Sequence, residues 1–190
     1  MIGNYIKAVA AAVSRSTAQL IKTGQTTSYR TGDDGDLEAG RNVSFTTLTE
    51  NNVFGNTNRF TDELGGQTYT NNIVIDWSTY NGSKVFGWRR TITTNKTWNQ
   101  AIDECLLVSI GTFTTGWRLP NIREIMNIFP FANITVPYSF SNFVSSTTFE
   151  PISTYCYQFY SDGRIFYVIK TGTYDYIPCR TFTVTGTTLS

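Results

Sequence analysis

The sequence predicts an α+β domain in which two short helices pack on a small, mainly antiparallel, twisted sheet, with a further helix at the N-terminus. Three observations predict it. Apolar residues recur at helical spacing in two places, each behind a capping pair: Trp98, Ala101, Ile102, Cys105 and Leu106 after Thr97 with Gln100, and Ile122, Ile125, Met126 and Phe129 after Asn121 with Glu124. Strand-like runs Ile73–Trp77 and Lys84–Arg90 are joined through Asn81-Gly82, and Tyr155–Tyr160 and Arg164–Lys170 flank Ser161-Asp162-Gly163, both hairpin signals. Ile2, Ile6, Val9, Val13, Ser16 and Leu20 mark a heptad seam in an alanine-rich segment that favours helix.

The seam divides the chain into residues 1–22, an oligomerisation or attachment helix, and residues 23–190, the globular domain. At under three heptads it either self-associates with help from the domain behind it or packs back on that domain. It does not read as a secretory signal, because no positive charge precedes the apolar part and Lys7 interrupts it. No apolar stretch is long enough to span a membrane as a helix.

Asp33-Asp34-Gly35-Asp36-Leu37-Glu38 is an acidic turn, read as Asx-rich turn chemistry ahead of a calcium site. Residues 42–72, rich in Asn, Thr and Gly, predict a long, largely irregular insertion with short strands. Pro120 keeps Leu119 extended, so Trp117–Pro120 leads into the helix that Asn121 caps, with Arg123 and Glu124 facing outward. Residues 130–151 read as an irregular loop. Its aromatics Tyr138, Phe140 and Phe143 have no periodic pattern to explain them, which makes them the candidate ligand-binding residues, together with the stretch Asn51–Asn58. Tyr176–Val184 is the closing strand.

Composition narrows the chemistry. With 190 residues and a formal charge of +1, the chain has no general attraction for nucleic acid or an anionic membrane. Histidine is absent, so Ser-His and Cys-His mechanisms cannot be assembled within the chain. Cys105, Cys156 and Cys179 lack Cys-x-x-Cys spacing, and no metal or cofactor is expected. Aromatic content of 15% beside abundant Asn, Thr, Ser and Tyr suits a neutral surface that stacks and hydrogen-bonds on partners.

Trp117-Arg118-Leu119-Pro120 followed by a short helix resembles the hallmark of a bacterial and phage family built on the C-type lectin-like fold. That family is typified by the C-terminal domain of collagen-like bacterial adhesins and is distantly related to formylglycine-generating enzymes. Thr23–Tyr29 with Gly32–Asp36 resembles its opening, Gly87-Trp88 its Gly-Leu-x-Trp strand, Thr97-Trp98 to Cys105 its Trp-x-x-Ala-x-x-x-Cys helix, and Pro178-Cys179-Arg180 its closing strand. Gly116 departs from the Asp common before the Trp. The resemblance implies that Trp98, Trp117, Arg118, Leu119 and Pro120 are structural, that Trp117 is buried between helix and sheet, and that Cys105 and Cys179 lie close together.

For function, the resemblance and the lack of a secretory signal lead to one expectation: a non-enzymatic subunit of a phage particle, made in the host cytoplasm. It would serve as a fibre, decoration or receptor-binding protein, contacting itself as a homo-oligomer (a trimer being one form), other virion proteins, or a host-surface glycan or protein. The alternative is a bacterial cell-surface adhesin domain. A copper oxidase would need a close cysteine pair, and the calcium-dependent sugar signature is not met, since Ile152 follows Glu150-Pro151 and Gln100 follows Trp98-Asn99.

Overall fold

A computed structural model describes residues 27–31, 47–48, 50–69, 71–128, 142–160 and 162–190. The chain divides into two compact units, Met1–Arg41 and Asn42–Ser190. The heptad segment 1–22 and the acidic turn 33–38 lie outside the described residues.

The second unit is mostly β, which overturns the expected lectin-like α+β class. Two five-stranded sheets replace the single small one. The first is antiparallel, in the order β1 (Phe60–Thr61), β2 (Ile73–Asp76), β3 (Lys84–Arg89), β9 (Cys179–Thr185), β10 (Thr188–Leu189). The second is mixed, in the order β4 (Thr93–Lys96), β8 (Tyr174–Tyr176), β5 (Phe143–Thr148), β6 (Tyr155–Phe159), β7 (Ile165–Ile169), with β5 and β8 parallel. The expected hairpin at Ser161-Asp162-Gly163 forms as β6 and β7 of this second sheet, but two of its other strands give no signal in the sequence, for a physical reason. Its strands β4 and β5, Thr-Thr-Asn-Lys and Phe-Val-Ser-Ser-Thr-Thr, carry few apolar residues, and partners distant in sequence make them strands.

Both expected helices form. Helix α1, Trp98–Leu106, starts at a complete capping box, the Thr97 side chain accepting from the Gln100 backbone and the Gln100 side chain from that of Thr97. Ala101 and Cys105 are buried, whereas Leu106, expected on the same face, is exposed in the last turn. Helix α2, Ile122–Ile128, buries Ile125 but exposes Met126. Asn121 caps it by accepting from the Glu124 backbone N–H at 3.0 Å, and the Glu124 carboxylate accepts from the Asn121 N–H at 2.8 Å. Glu124 is not directed outward as expected: it receives both Arg118 terminal nitrogens at 2.6 and 2.8 Å.

The Trp-Arg-Leu-Pro stretch joins two cores. Trp117 belongs to the cluster on the first sheet with Ile73, Ile75, Val85, Phe113 and Phe182, and its indole N–H donates to the Phe113 carbonyl at 2.9 Å. Leu119 belongs to the other cluster, with Ala101, Cys105, Val144, Cys156 and Tyr176. Between them Arg118 exchanges two backbone hydrogen bonds with Cys179 on β9. Trp117 is 1% exposed, so its expected burial holds although the expected fold class does not. Leu119 and Pro120 are buried too.

Glycine at position 87 is required by packing. A Cβ there would fall 2.6 Å from the Phe182 ring and 2.8 Å from the Ile75 side chain, which meet over the bare backbone of β3.

Candidate contact surface

The β6–β7 hairpin separates two kinds of side chain. Alternation along each strand puts successive residues on opposite faces. Cys156 lies opposite Val168 in the register, and both join the core cluster beside α1. Their neighbours point the other way: Tyr155 faces Ile169 across the strands and Tyr157 faces Tyr167. Phe149, just past β5, completes the group. Its ring stacks on Tyr167 at 4.6 Å and 11° and meets Tyr157 edge-on at 5.7 Å, while Tyr155 meets Tyr167 edge-on at 5.7 Å.

This aromatic group reaches the surface: Tyr167 is exposed, and Phe149, Tyr155 and Tyr157 are half-buried around it. Tyr167 is 55% exposed, and Ile165 and Ile169, on the same face of β7, are 37% and 46% exposed. Ordinary surfaces scatter such residues singly, and a contiguous group marks a contact site. The rings brace one another before any partner arrives, so less rotamer entropy is lost on binding than by isolated side chains. None of the hydrogen bonds among the described residues uses the hydroxyls of Tyr155, Tyr157 or Tyr167, which leaves them for a partner. Beside the patch, the hairpin turn carries the exposed Arg164–Asp162 ion pair, and Lys170 lies 3.9 Å from the Trp98 ring centroid while bonding Thr148 at 2.9 Å.

The residues expected to bind lie elsewhere. Tyr138 and Phe140 fall outside the described residues. Phe143 is a correction: it opens β5, pairs with Phe159 and is 1% exposed, so its ring is a core group. Asn51–Asn58 also has a structural explanation. Asn52 is buried and its amide donates to Asn56 at 2.8 Å and to the Asn58 carbonyl at 3.0 Å while accepting from the Phe54 N–H, so these amides hold their own turn. The sequence points to none of the four rings as a contact group: Tyr155, Tyr157 and Tyr167 fall in expected strands, and Phe149 in the expected loop 130–151 beside the named candidates. The available signal was Tyr155-x-Tyr157, two tyrosines sharing a face opposite Tyr167.

The motif residues are structural in this geometry. Trp98 is half-buried, its indole N–H donating to the Ser145 carbonyl at 2.9 Å. Cys105, Cys156 and Cys179 are buried free thiols. Cys179 donates to the Arg118 carbonyl at 3.5 Å. Burial pushes the Cys105 thiol up to about 12 and the Cys156 thiol to about 11, and raises Cys179 further, so none offers a thiolate at neutral pH. Comparison with models of known protein families and with curated proteins finds no match to this chain.

Proposed function

We propose that the chain is a non-enzymatic contact subunit of a phage particle, and that the Phe149, Tyr155, Tyr157 and Tyr167 patch is the face with which it binds a host-surface molecule or a neighbouring subunit. The exposed Tyr167 ring, braced by the half-buried Phe149, Tyr155 and Tyr157, is the observation that carries this reading. A chain without histidine and with buried, protonated thiols among its described residues is poorly equipped for nucleophilic or acid–base chemistry, which supports binding over turnover. The placement in a phage particle rests on the motif order described above. Quantitative mass spectrometry of purified particles tests it: this reading requires the chain at a fixed stoichiometric copy number, and recovery only from the bacterial envelope would assign it to the adhesin alternative.

A further inference from the structure

We propose that the cleft on the first sheet, on the side of Glu63, is a binding site for an organic cation, a primary ammonium carried on an apolar stem. The cleft encloses about 760 Å³ and is walled by Val53, Phe54, Leu64, Phe113 and Leu189. Asn71 and Glu63 supply its polar end, the Asn71 amide donating to Glu63 Oε1. Glu63 is only 8% exposed, and its second oxygen, Oε2, is buried with no hydrogen-bond partner. Buried carboxylate oxygens are ordinarily satisfied, since leaving one without a donor is costly. A ligand donor supplies what the fold leaves out.

The cleft's charge selects the donor. Glu63 is the sole charged side chain among the described residues that line the cleft, and the neighbouring Asp62 adds a second negative charge that acts on it. The Asp62 carboxylate is itself engaged by the backbone N–H groups of Leu64 and Gly66 and by the Thr68 hydroxyl. An ammonium at the Glu63 carboxylate, with the side chain turning to bring Oε2 to the cleft, would gain a charge-assisted hydrogen bond, and the half-exposed Phe54 ring offers a face for the cation or its stem. Gly65 passes directly beneath that ring, so close that a Cβ would sit 2.5 Å from it, which fixes the wall in place. This site is separate from the aromatic patch and does not depend on it.

The test titrates the isotopically labelled chain with n-butylammonium and, in parallel, with n-butanol, the neutral analogue of similar shape, following the amides of Glu63, Leu64, Asn71 and Gly111 by NMR. The proposal predicts saturable shifts with the ammonium and at least tenfold weaker binding of the alcohol, with Glu63→Gln abolishing the difference. Equal binding of the two probes overturns it, as does binding of a methyl glycoside in place of the ammonium. Should Glu63→Gln not fold, the comparison of charged and neutral probes on the native chain still decides. An N-acetyl-lysine methylamide probe binding more tightly than n-butylammonium would identify a protein lysine as the source of the cation; the reverse order would identify a free alkylamine.

Discussion

Arg59 and Asp76 form a two-pronged ion pair in the interior of the first sheet, Nε to Oδ1 at 2.8 Å and Nη2 to Oδ2 at 2.6 Å, with both side chains at zero exposure. Asp76 also caps the 3-10 turn that follows β2 by accepting from the Ser78 N–H at 3.0 Å. The pair ties the end of β2 to the residue that leads into β1. Removing one member leaves a buried charge without its partner, which typically costs about 3–5 kcal/mol, whereas replacing both by apolar groups costs far less. Asp76→Asn should therefore lower the urea midpoint sharply, and Arg59→Met with Asp76→Leu should recover much of the loss. Equal destabilisation by the single and double variants would show that the capping bond, and not the charge pair, is what matters.

Gly87→Ala places a methyl group against Phe182, Ile75 and the Val74 carbonyl. Overpacking of this kind typically costs about 1–3 kcal/mol, so the thermal midpoint should fall by several degrees. An unchanged midpoint would mean that the first core has slack it does not show.

The three thiols should resist alkylation in the folded chain at neutral pH and react together on unfolding, because burial holds each in its protonated form. Intact-mass measurement after iodoacetamide treatment, with and without urea, reads this directly. Rapid labelling of any cysteine in the native protein would contradict its burial.

Burial is the main influence that raises the Glu63 carboxyl above its ordinary value. The folded state then binds the proton more tightly than the unfolded one, so stability falls as pH rises through the window between the unfolded value and the raised folded one. Glu63→Gln should flatten that part of the pH–stability profile and make the chain more stable than the native one above it. A profile unchanged by the substitution would place Glu63 in water.

What was legible in the sequence was local. Thr97 with Gln100 and Asn121 with Glu124 announce their helices because capping depends on residues three apart, and the buried Trp117 follows from its place beside that helix start. Of the second sheet only the β6–β7 hairpin was legible, through Ser161-Asp162-Gly163 between two strand-like runs; β4 and β5 were not. Strand β5 gains its partners from β6 and from β8, the latter some 30 residues away, and its serines and threonines carry no alternation to announce it. Phe143 was misassigned with it, since a core ring at the start of an unrecognised strand looks like an unexplained loop aromatic. The Asn51–Asn58 amides misled in the opposite direction: groups that serve a turn internally resemble groups offered to a partner until their bonds are seen.

The role of Phe149, Tyr155, Tyr157 and Tyr167 as the contact face is most directly tested by measuring attachment of the Tyr155→Ala, Tyr167→Ala double variant to host-cell envelopes and its incorporation into particles. Tyr167 is exposed and Tyr155 half-buried, so the thermal midpoint should stay within a few degrees of the native value, while loss of two anchoring rings at a central contact, on the order of 2 kcal/mol or more, should reduce attachment or incorporation at least tenfold. Native attachment and native incorporation by a stably folded double variant would contradict the assignment.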